Sequence, residues 1–149
     1  MKLSEHFTLE ELIYSETAIR KDLDNTPSED IKQNLILLCE KVLEPLRTII
    51  NIPIKINSGY RSIEVNKEVG GVSTSQHCKG EAADTVAIGI PVKDYYTKVK
   101  QLVKDKQLII DQCIYEYESW VHISYKSKGT NRNQFLIKSK NTGYIPDNI

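Results

Sequence analysis

An amphipathic segment in the first third of the chain constrains the fold most. From Ile31 to Ile49, apolar residues recur at every third or fourth position, which places them in one stripe along about five helical turns. Thr26 precedes this segment as a candidate N-cap, with Pro27 in the first turn and Glu29 as the third helical residue. We therefore predict a long core helix that starts after Thr26 and kinks near its end at Pro45.

A short helix is predicted before this segment, and strands are predicted after it. Thr8 and Glu11 have the spacing of a capping box, which predicts a helix over residues 9–14, whereas the polar residues 15–25 are predicted to be irregular. A second amphipathic helix is predicted from Pro91 to about Lys106. Alternating and β-branched patterns predict strands over residues 52–60, 81–88, 108–117, 120–125 and 135–138.

This order of elements indicates the fold class. Helices followed by strands predict an α+β fold, in which a small antiparallel sheet has helices packed on one face. A very short turn at Glu118 and Ser119 separates two of the strands, which predicts a hairpin. The 149 residues are enough for one core, so we predict a single domain over residues 1–149 with a loose tail over 139–149.

The charge and hydropathy of the chain exclude some classes of protein. Basic and acidic residues each number 20, and no basic block stands out, which disfavours a general nucleic-acid binder. No apolar run is long enough to cross a membrane, and residues 1–7 lack the apolar middle of a signal peptide. We expect a monomer that is made in the cytoplasm without a signal peptide and does not insert into membranes.

The three cysteines, Cys39, Cys78 and Cys113, are odd in number and form no CxxC pair. We expect free thiols in a protein made in a reducing compartment. Cys78 follows a histidine, but a lone cysteine in such a position is more typical of a small filler than of a nucleophile.

The stretch from Ser75 to Asp84 carries the strongest chemical pattern. It reads Ser-Gln-His-Cys-Lys-Gly-Glu-Ala-Ala-Asp, so a glycine that permits a sharp turn separates His77 from Asp84. A catalytic zinc ion usually has three protein ligands and leaves its fourth position to water. His122 lies in a strand pattern and is a better third ligand than His6, which lies in a mixed polar segment. Taken singly, each of these residues could instead be a hydrogen-bonding or turn-capping group.

The conjunction of several motifs resembles a known family. Ser-x-His-x-x-Gly-x-Ala-x-Asp is preceded by Ser-Gly-Tyr-Arg and followed, 38 residues after its aspartate, by the histidine of Trp-x-His. The chain resembles the zinc D-alanyl-D-alanine peptidases, which share a fold with lysostaphin-type enzymes and the hedgehog signalling domain. It is most similar to the short carboxypeptidase-like members found in phages. The likeness runs from Phe7 through Phe135 and includes residues 25–27, 58–61, 66–71, 75–84, 111–112, 120–122 and 131–132.

The resemblance implies a set of site residues on the open face of the sheet. His77, Asp84 and His122 would bind one zinc ion per chain, and Arg61 would lie against the carbonyl or carboxylate of the substrate. Two neutral imidazoles and one carboxylate leave zinc a net positive charge, which lowers the pKa of bound water to roughly 7. A fixed guanidinium can stabilise the oxyanion formed by attack on an amide. Arg61 could alternatively form a surface ion pair, and Ser75 could bind a substrate carboxylate or brace its loop.

The general base is the point at which this sequence departs from the resemblance. Many members have an acidic residue three positions before the second histidine, but Ser119 occupies that position here, and a hydroxyl cannot take a proton from water at neutral pH. Glu116, at the end of a predicted strand, and Glu118, in the predicted turn, are the candidates. We favour Glu116 because the predicted hairpin places it across from His122.

The resemblance implies a zinc peptidase whose metal-bound water hydrolyses an amide bond in bacterial peptidoglycan stem peptides. The enzyme would be a D-Ala-D-Ala carboxypeptidase or an endolysin-type endopeptidase. It would reach the cell wall through lysis machinery or in a phage particle. Ser119 sustains a second hypothesis, a non-catalytic module of the cell-wall-binding or virion structural kind that retains the fold and the zinc site.

Overall fold

A computed structural model describes residues 1–148. The helices are α1 (Leu9–Ile13), α2 (Glu16–Arg20), α3 (Glu29–Leu38), α4 (Glu44–Ile50), α5 (Ile63–Glu68) and α6 (Val92–Lys104). The strands are β1 (Ile54–Ser58), β2 (Ala82–Ala87), β3 (Gln112–Glu116), β4 (Trp120–Ser124), β5 (Gln134–Lys138) and β6 (Tyr144–Pro146). Within residues 1–148, no helix is both long enough and apolar enough to cross a membrane.

The six strands form one sheet in the order β1-β2-β4-β3-β5-β6. Every neighbouring pair is antiparallel except β3 and β5, which are parallel. The parallel pair arises because β2 and β3 already occupy both edges of β4. The chain returning from β4 therefore joins the free edge of β3 and runs in the same direction as that strand. The predicted α+β class is confirmed, and the sheet is mostly antiparallel.

The two faces of the sheet have different environments. Alternate residues of the central strands, among them Ala83 and Val121, belong to the buried core together with Tyr95 and Val99 of α6 and the apolar stripe of α3. The hydroxyl groups of Thr85 and Tyr95 lie 2.7 Å apart and link this face to α6. Residues on the opposite face, which the helices leave open, include Asp84 and His122. Helices on one face and chemical groups on the other agree with the sequence-based prediction.

The long helix begins two residues later than predicted. Ser28, not Thr26, is the N-cap, because its Oγ accepts a hydrogen bond from the backbone N–H of Ile31 at 3.3 Å. The backbone N–H of Thr26 instead donates to the side chain of Asp24 at 2.9 Å, which holds Thr26 in a turn outside the helix. Pro27 therefore precedes the cap.

The irregularity expected at Pro45 takes the form of a π-helical turn over Cys39–Leu43, immediately before α4. The N–H of Glu44 donates to the carbonyl of Cys39, five residues back. Pro45 has no N–H to continue the α-helical ladder. Cys39 is buried in this turn, and burial raises the pKa of its thiol to about 12, so this cysteine is unreactive. The prediction that all three cysteines are free thiols is confirmed.

Three segments are more regular than the sequence predicted. Residues 15–25, expected to be irregular, contain α2, which Ser15 caps by accepting from the N–H of Ala18 at 3.1 Å. Helix α5 was not predicted. The tail expected to be loose contains β6, which pairs with the otherwise free edge of β5. Asp147 then accepts hydrogen bonds from Tyr96 at 2.7 Å and Lys100 at 2.9 Å, which attach the tail to α6.

Candidate metal centre

His77 lies in a short 3-10 helix over Gln76–Lys79 that leads into β2. The Oγ of Ser75 caps this helix by accepting from the backbone N–H of His77 at 3.2 Å. Gly80 ends it with φ of 71°, the left-handed conformation that a glycine adopts readily, as the predicted sharp turn requires. Nδ1 of His77 lies 2.8 Å from the carbonyl oxygen of Gly59. Because a carbonyl only accepts, Nδ1 carries the proton and Nε2 presents a lone pair.

The loop that supplies this carbonyl is packed closely against α1. The backbone N–H of Tyr60 donates to the carbonyl of Leu12 at 2.7 Å. A Cβ atom at Gly59 would collide with the same carbonyl oxygen, so only glycine permits this approach. The position of the His77 ring thus depends on a contact between α1 and the segment after β1.

Asp84 and His122 are directly opposite each other in the antiparallel pair of β2 and β4. Oδ1 of Asp84 lies 3.1 Å from Nδ1 of His122 and 3.3 Å from Nε2 of His77. The two imidazole rings are nearly perpendicular, with centroids 5.1 Å apart. The three ligand-type atoms all lie within 4.8 Å of one another. The structure therefore brings together the three residues that the sequence singled out.

The protonation pattern of the cluster fits a metal ion. Nε2 of His122 faces the side-chain oxygen of Gln76 at 3.3 Å, and a proton on this nitrogen would leave the lone pair of Nδ1 on the side of Asp84, where a metal ion would bind. In this tautomer two lone-pair nitrogens and a carboxylate oxygen converge, an arrangement that a cation would stabilise. Tetrahedral zinc with bonds of about 2.0 Å separates its ligand atoms by about 3.3 Å, close to the distances from Asp84. Two imidazoles and one carboxylate are also a donor set that suits zinc.

Burial and the mutual contacts tune the charges of this cluster. Burial lowers the pKa of His77 below its ordinary value, although Asp84 acts in the opposite direction, so the ring is neutral as a metal ligand must be. Burial alone would raise the pKa of Asp84, but its close contacts with the imidazoles of His122 and His77 outweigh burial and hold that pKa well below its ordinary value. Asp84 is therefore a carboxylate at neutral pH.

Glu116 lies beside the cluster, but not in the predicted register. Its direct cross-strand partner is Trp120, whereas His122 is opposite Ile114. The prediction that Glu116 lies directly across from His122 is therefore wrong, because the two residues are diagonal neighbours in the β3–β4 pair. A three-residue loop with positive φ at Tyr117 and Glu118 sets this register.

The diagonal position still allows contact with the cluster. Diagonal neighbours on one face are about 7–8 Å apart at the backbone, within reach of a long side chain. Oε1 of Glu116 lies 3.7 Å from Nδ1 of His122. Burial raises the pKa of the Glu116 carboxyl above its ordinary value, and His122 partly opposes this effect.

The other candidate base is not part of the cluster. Glu118 and Ser119 are exposed at the tip of the hairpin, and neither lines the cleft above the three clustered residues. The hydroxyl of Ser119 donates to the carbonyl of Tyr117 at 2.9 Å. The hairpin therefore turns the side chain of Glu118 away from the cluster while it keeps Glu116 close.

The cleft above the cluster has a volume of about 580 Å³ and is lined by Arg61 and Ser75, among others. The backbone N–H of Arg61 donates to the carbonyl of His77 at 3.2 Å. Asn25 holds the same segment, because its Oδ1 accepts from Ser62 at 2.7 Å and its Nδ2 donates to the carbonyl of Tyr60 at 3.1 Å. The backbone of Arg61 is thus anchored at the wall of the cleft, which its side chain lines.

Arg61 is not a surface ion-pair residue. Within residues 1–148 it has no acidic partner, and its Nε is buried without a hydrogen-bond acceptor. Unpaired buried N–H groups are rare and often occur at functional sites. The surface ion-pair alternative is therefore wrong.

The sequence assigned no role to three residues that adjoin the cluster. Gln76 contacts His122, and Asp111 and Arg132 hold Gln76 in place. Gln76 stands between two residues of the motif and carried no signal of its own. Asp111 and Arg132 lie in segments that contributed to the resemblance, but their pairing across 21 residues is visible only in the structure.

A family model described as Peptidase M15 matches residues 5–124. This range includes Arg61, Ser75, Glu116 and the three clustered residues, and it ends before Arg132. No curated protein matches the chain.

Proposed function

Because this chain belongs to the Peptidase M15 family, we propose that it is a zinc-dependent peptidase that hydrolyses an amide bond in bacterial peptidoglycan peptides. One observation carries the proposal. Three ligand-type atoms of His77, Asp84 and His122 converge at the floor of a cleft, and a fourth group, the carboxylate of Glu116, lies 3.7 Å from one of them. We assign the first three residues as ligands of one zinc ion per chain and Glu116 as the general base.

The residues of this site have separate roles in amide hydrolysis. A bound zinc ion supplies a Lewis acid that polarises a carbonyl and lowers the pKa of water toward neutrality. Glu116 takes a proton from the attacking water at a carboxylate oxygen and delivers it to the nitrogen of the leaving amine. Burial raises the pKa of Glu116, which helps it to retain that proton until the amine departs.

Arg61 and Ser75 are proposed to bind the substrate. Both line the cleft, and Arg61 lies on the segment that also holds His77 through the carbonyl of Gly59. The guanidinium is placed to donate hydrogen bonds to the carbonyl oxygen as it gains negative charge. The Oγ of Ser75 already accepts from the N–H of His77, so its own O–H is available to a substrate carboxylate.

The charge of the cleft supports an acidic peptide as substrate. Lys79, Lys126 and Arg132 line it together with Arg61, and although Asp111 pairs with Arg132 and lies 3.8 Å from Lys126, these groups keep a net positive charge. Lys79 precedes β2, Lys126 follows β4 and Arg132 precedes β5, so these three lie at the end of the sheet where β2 begins. Peptidoglycan stem peptides carry several carboxylates, which complement this cationic end.

The route to the substrate and the domain organisation are parts of the same proposal. We propose that residues 1–149 act as one domain that reaches the cell wall through lysis or in a phage particle. The resemblance to short phage-type members supports this route.

Replacing Arg61 with Ala is expected to leave zinc in place and to lower turnover by about 10²- to 10³-fold, the usual cost of one oxyanion-stabilising donor. Within residues 1–148 the side chain of Arg61 makes no hydrogen bond or ion pair with His77, Asp84 or His122, so metal content should stay at the wild-type level. Steady-state rates on one muropeptide, with zinc content measured on the same samples, test this. A variant that digests peptidoglycan at the native rate would exclude Arg61 from the reaction.

Purified protein incubated with cell-wall sacculi should release new amino groups, and a chelator should stop the release. Mass spectrometry of the muropeptides identifies the bond. Loss of a terminal D-alanine indicates a carboxypeptidase, whereas an internal cut indicates an endolysin-type endopeptidase. Zinc-loaded protein that binds sacculi without cutting any bond would refute the peptidase and support the non-catalytic module.

A further inference from the structure

A hydrogen-bonded chain of side chains extends from His122 away from the metal cluster. Oε1 of Gln76 lies 3.3 Å from Nε2 of His122, and Nε2 of Gln76 donates to Oδ2 of Asp111 at 2.8 Å. Arg132 closes the chain with two donated bonds to Asp111, from Nε at 2.9 Å and from Nη2 at 2.8 Å. Its backbone N–H makes a third bond to the same carboxylate at 3.2 Å.

Asp111 determines the direction of every bond in this chain. Its side chain has 0% exposure, and a buried carboxylate needs paired donors. Burial alone would raise the pKa of Asp111, but the hydrogen bonds from Arg132 outweigh it and lower the pKa, so the group only accepts. The amide of Gln76 must therefore turn its NH₂ toward Asp111 and its oxygen toward His122. That oxygen favours a proton on Nε2 of His122.

The side chains of this hydrogen-bonded chain come from separate elements of the fold, and these elements are held firmly. Gln76 is next to His77 in the 3-10 helix, whereas Asp111 precedes β3 and Arg132 precedes β5. The backbone N–H of Asp111 donates to the carbonyl of Ser124 at 2.8 Å, which fixes Asp111 against the end of β4. The orientation of the Gln76 amide is thus determined by the sheet and not by the loop alone.

We propose that Gln76, held by Asp111 and Arg132, is a positioning residue that keeps His122 in the orientation and tautomer whose Nδ1 is free for the metal. This inference rests on the proposed zinc site. The outer nitrogen of a metal-binding histidine commonly donates to such a partner, which raises the basicity of the ligand. Here a neutral amide serves as the partner, and the buried carboxylate of Asp111, paired with Arg132, orients it.

The test compares two glutamines of similar surroundings. Gln76→Leu removes the acceptor for His122. Gln112→Leu is the matched control, because Gln112 lines the same cleft but its Nε2 donates to Gln134 at 2.7 Å. Zinc affinity of each full-length protein is measured by competition with a chromogenic chelator. We expect Gln76→Leu to weaken zinc binding by about 10- to 100-fold and Gln112→Leu to match the wild type.

A second measurement reports on His122 without any metal. Long-range ¹H–¹⁵N spectra of the imidazole nitrogens show which nitrogen carries the proton. We expect His122 in the metal-free wild type and in Gln112→Leu to be protonated at Nε2, and the Gln76→Leu protein to show a mixture of tautomers. Arg132→Ala, which leaves Gln76 in place but releases Asp111, should shift the spectrum in the same direction.

The outcomes separate this inference from the proposed function. Unchanged zinc affinity in Gln76→Leu, or a single unchanged tautomer of His122, would overturn the positioning role even if the enzyme is a zinc peptidase. If the wild type binds no zinc, the proposed function fails, while the metal-free spectra still decide whether Gln76 controls His122.

Discussion

Replacing Glu116 with Gln is expected to lower turnover by about 10²- to 10⁴-fold, the range for loss of a general base, while zinc content and fold stay at wild-type levels. The amide has the shape of the carboxylate but cannot take a proton from water. Glu116 is not one of the three clustered ligand residues, and its Oε1 lies 3.7 Å from Nδ1 of His122, so the cluster should persist. Rates on one muropeptide, with zinc content of the same samples, measure both effects.

Glu118→Gln is the matched control, because it makes the same chemical change two residues away. Glu118 is exposed at the hairpin tip and does not line the cleft, so this variant should keep most of its activity. If Glu118→Gln is the inactive protein, the hairpin differs in solution and Glu118 is the base. If both variants are as active as the wild type, neither carboxylate is the base.

Replacing His77, Asp84 or His122 with Ala is expected to abolish stoichiometric zinc binding. Each change removes one of three converging ligand atoms, and the remaining two cannot complete a catalytic site of the usual three protein ligands. Asp84 should have the largest effect, since its Oδ1 contacts both imidazoles and its charge compensates the cation. Atomic spectroscopy of metal content per chain measures the loss.

His6→Ala serves as the control for general effects of losing a histidine. Nδ1 of His6 lies 2.5 Å from the carboxylate of Glu44, and His6 does not line the cleft, so the variant should retain a full equivalent of zinc. Full zinc occupancy in the His122 variant would refute the proposed ligand set. Zinc loss in the His6 variant would indicate that metal also binds near Glu44.

Local patterns in the sequence were sufficient for the fold class and for the cluster. The apolar stripe of α3 and α4 has the period of a helix, and the alternation in β2 and β4 has the period of a strand. Each period can be read within the segment itself. The motif residues His77 and Asp84 are near each other in sequence, so a turn at Gly80 accounts for their approach. His122 was identified because a strand pattern holds it.

Features that depend on partners distant in the sequence were decided only by the tertiary structure. The register that sets Glu116 against Trp120 depends on the backbone conformation of a three-residue loop, which composition does not reveal. The parallel course of β5 and the pairing of β6 depend on which strand edges are free once the sheet has formed.

The placement of individual polar groups shows the same limit. Thr26 and Ser28 are both good caps, and the choice between them was made by a bond from Thr26 to Asp24. Gln76 acquires its role from Asp111, 35 residues later in the sequence, and from Arg132, which lies a further 21 residues on. The sequence by itself determined which side chains could bind a metal, whereas the orientation of those side chains came from hydrogen bonds that exist only after the sheet has assembled.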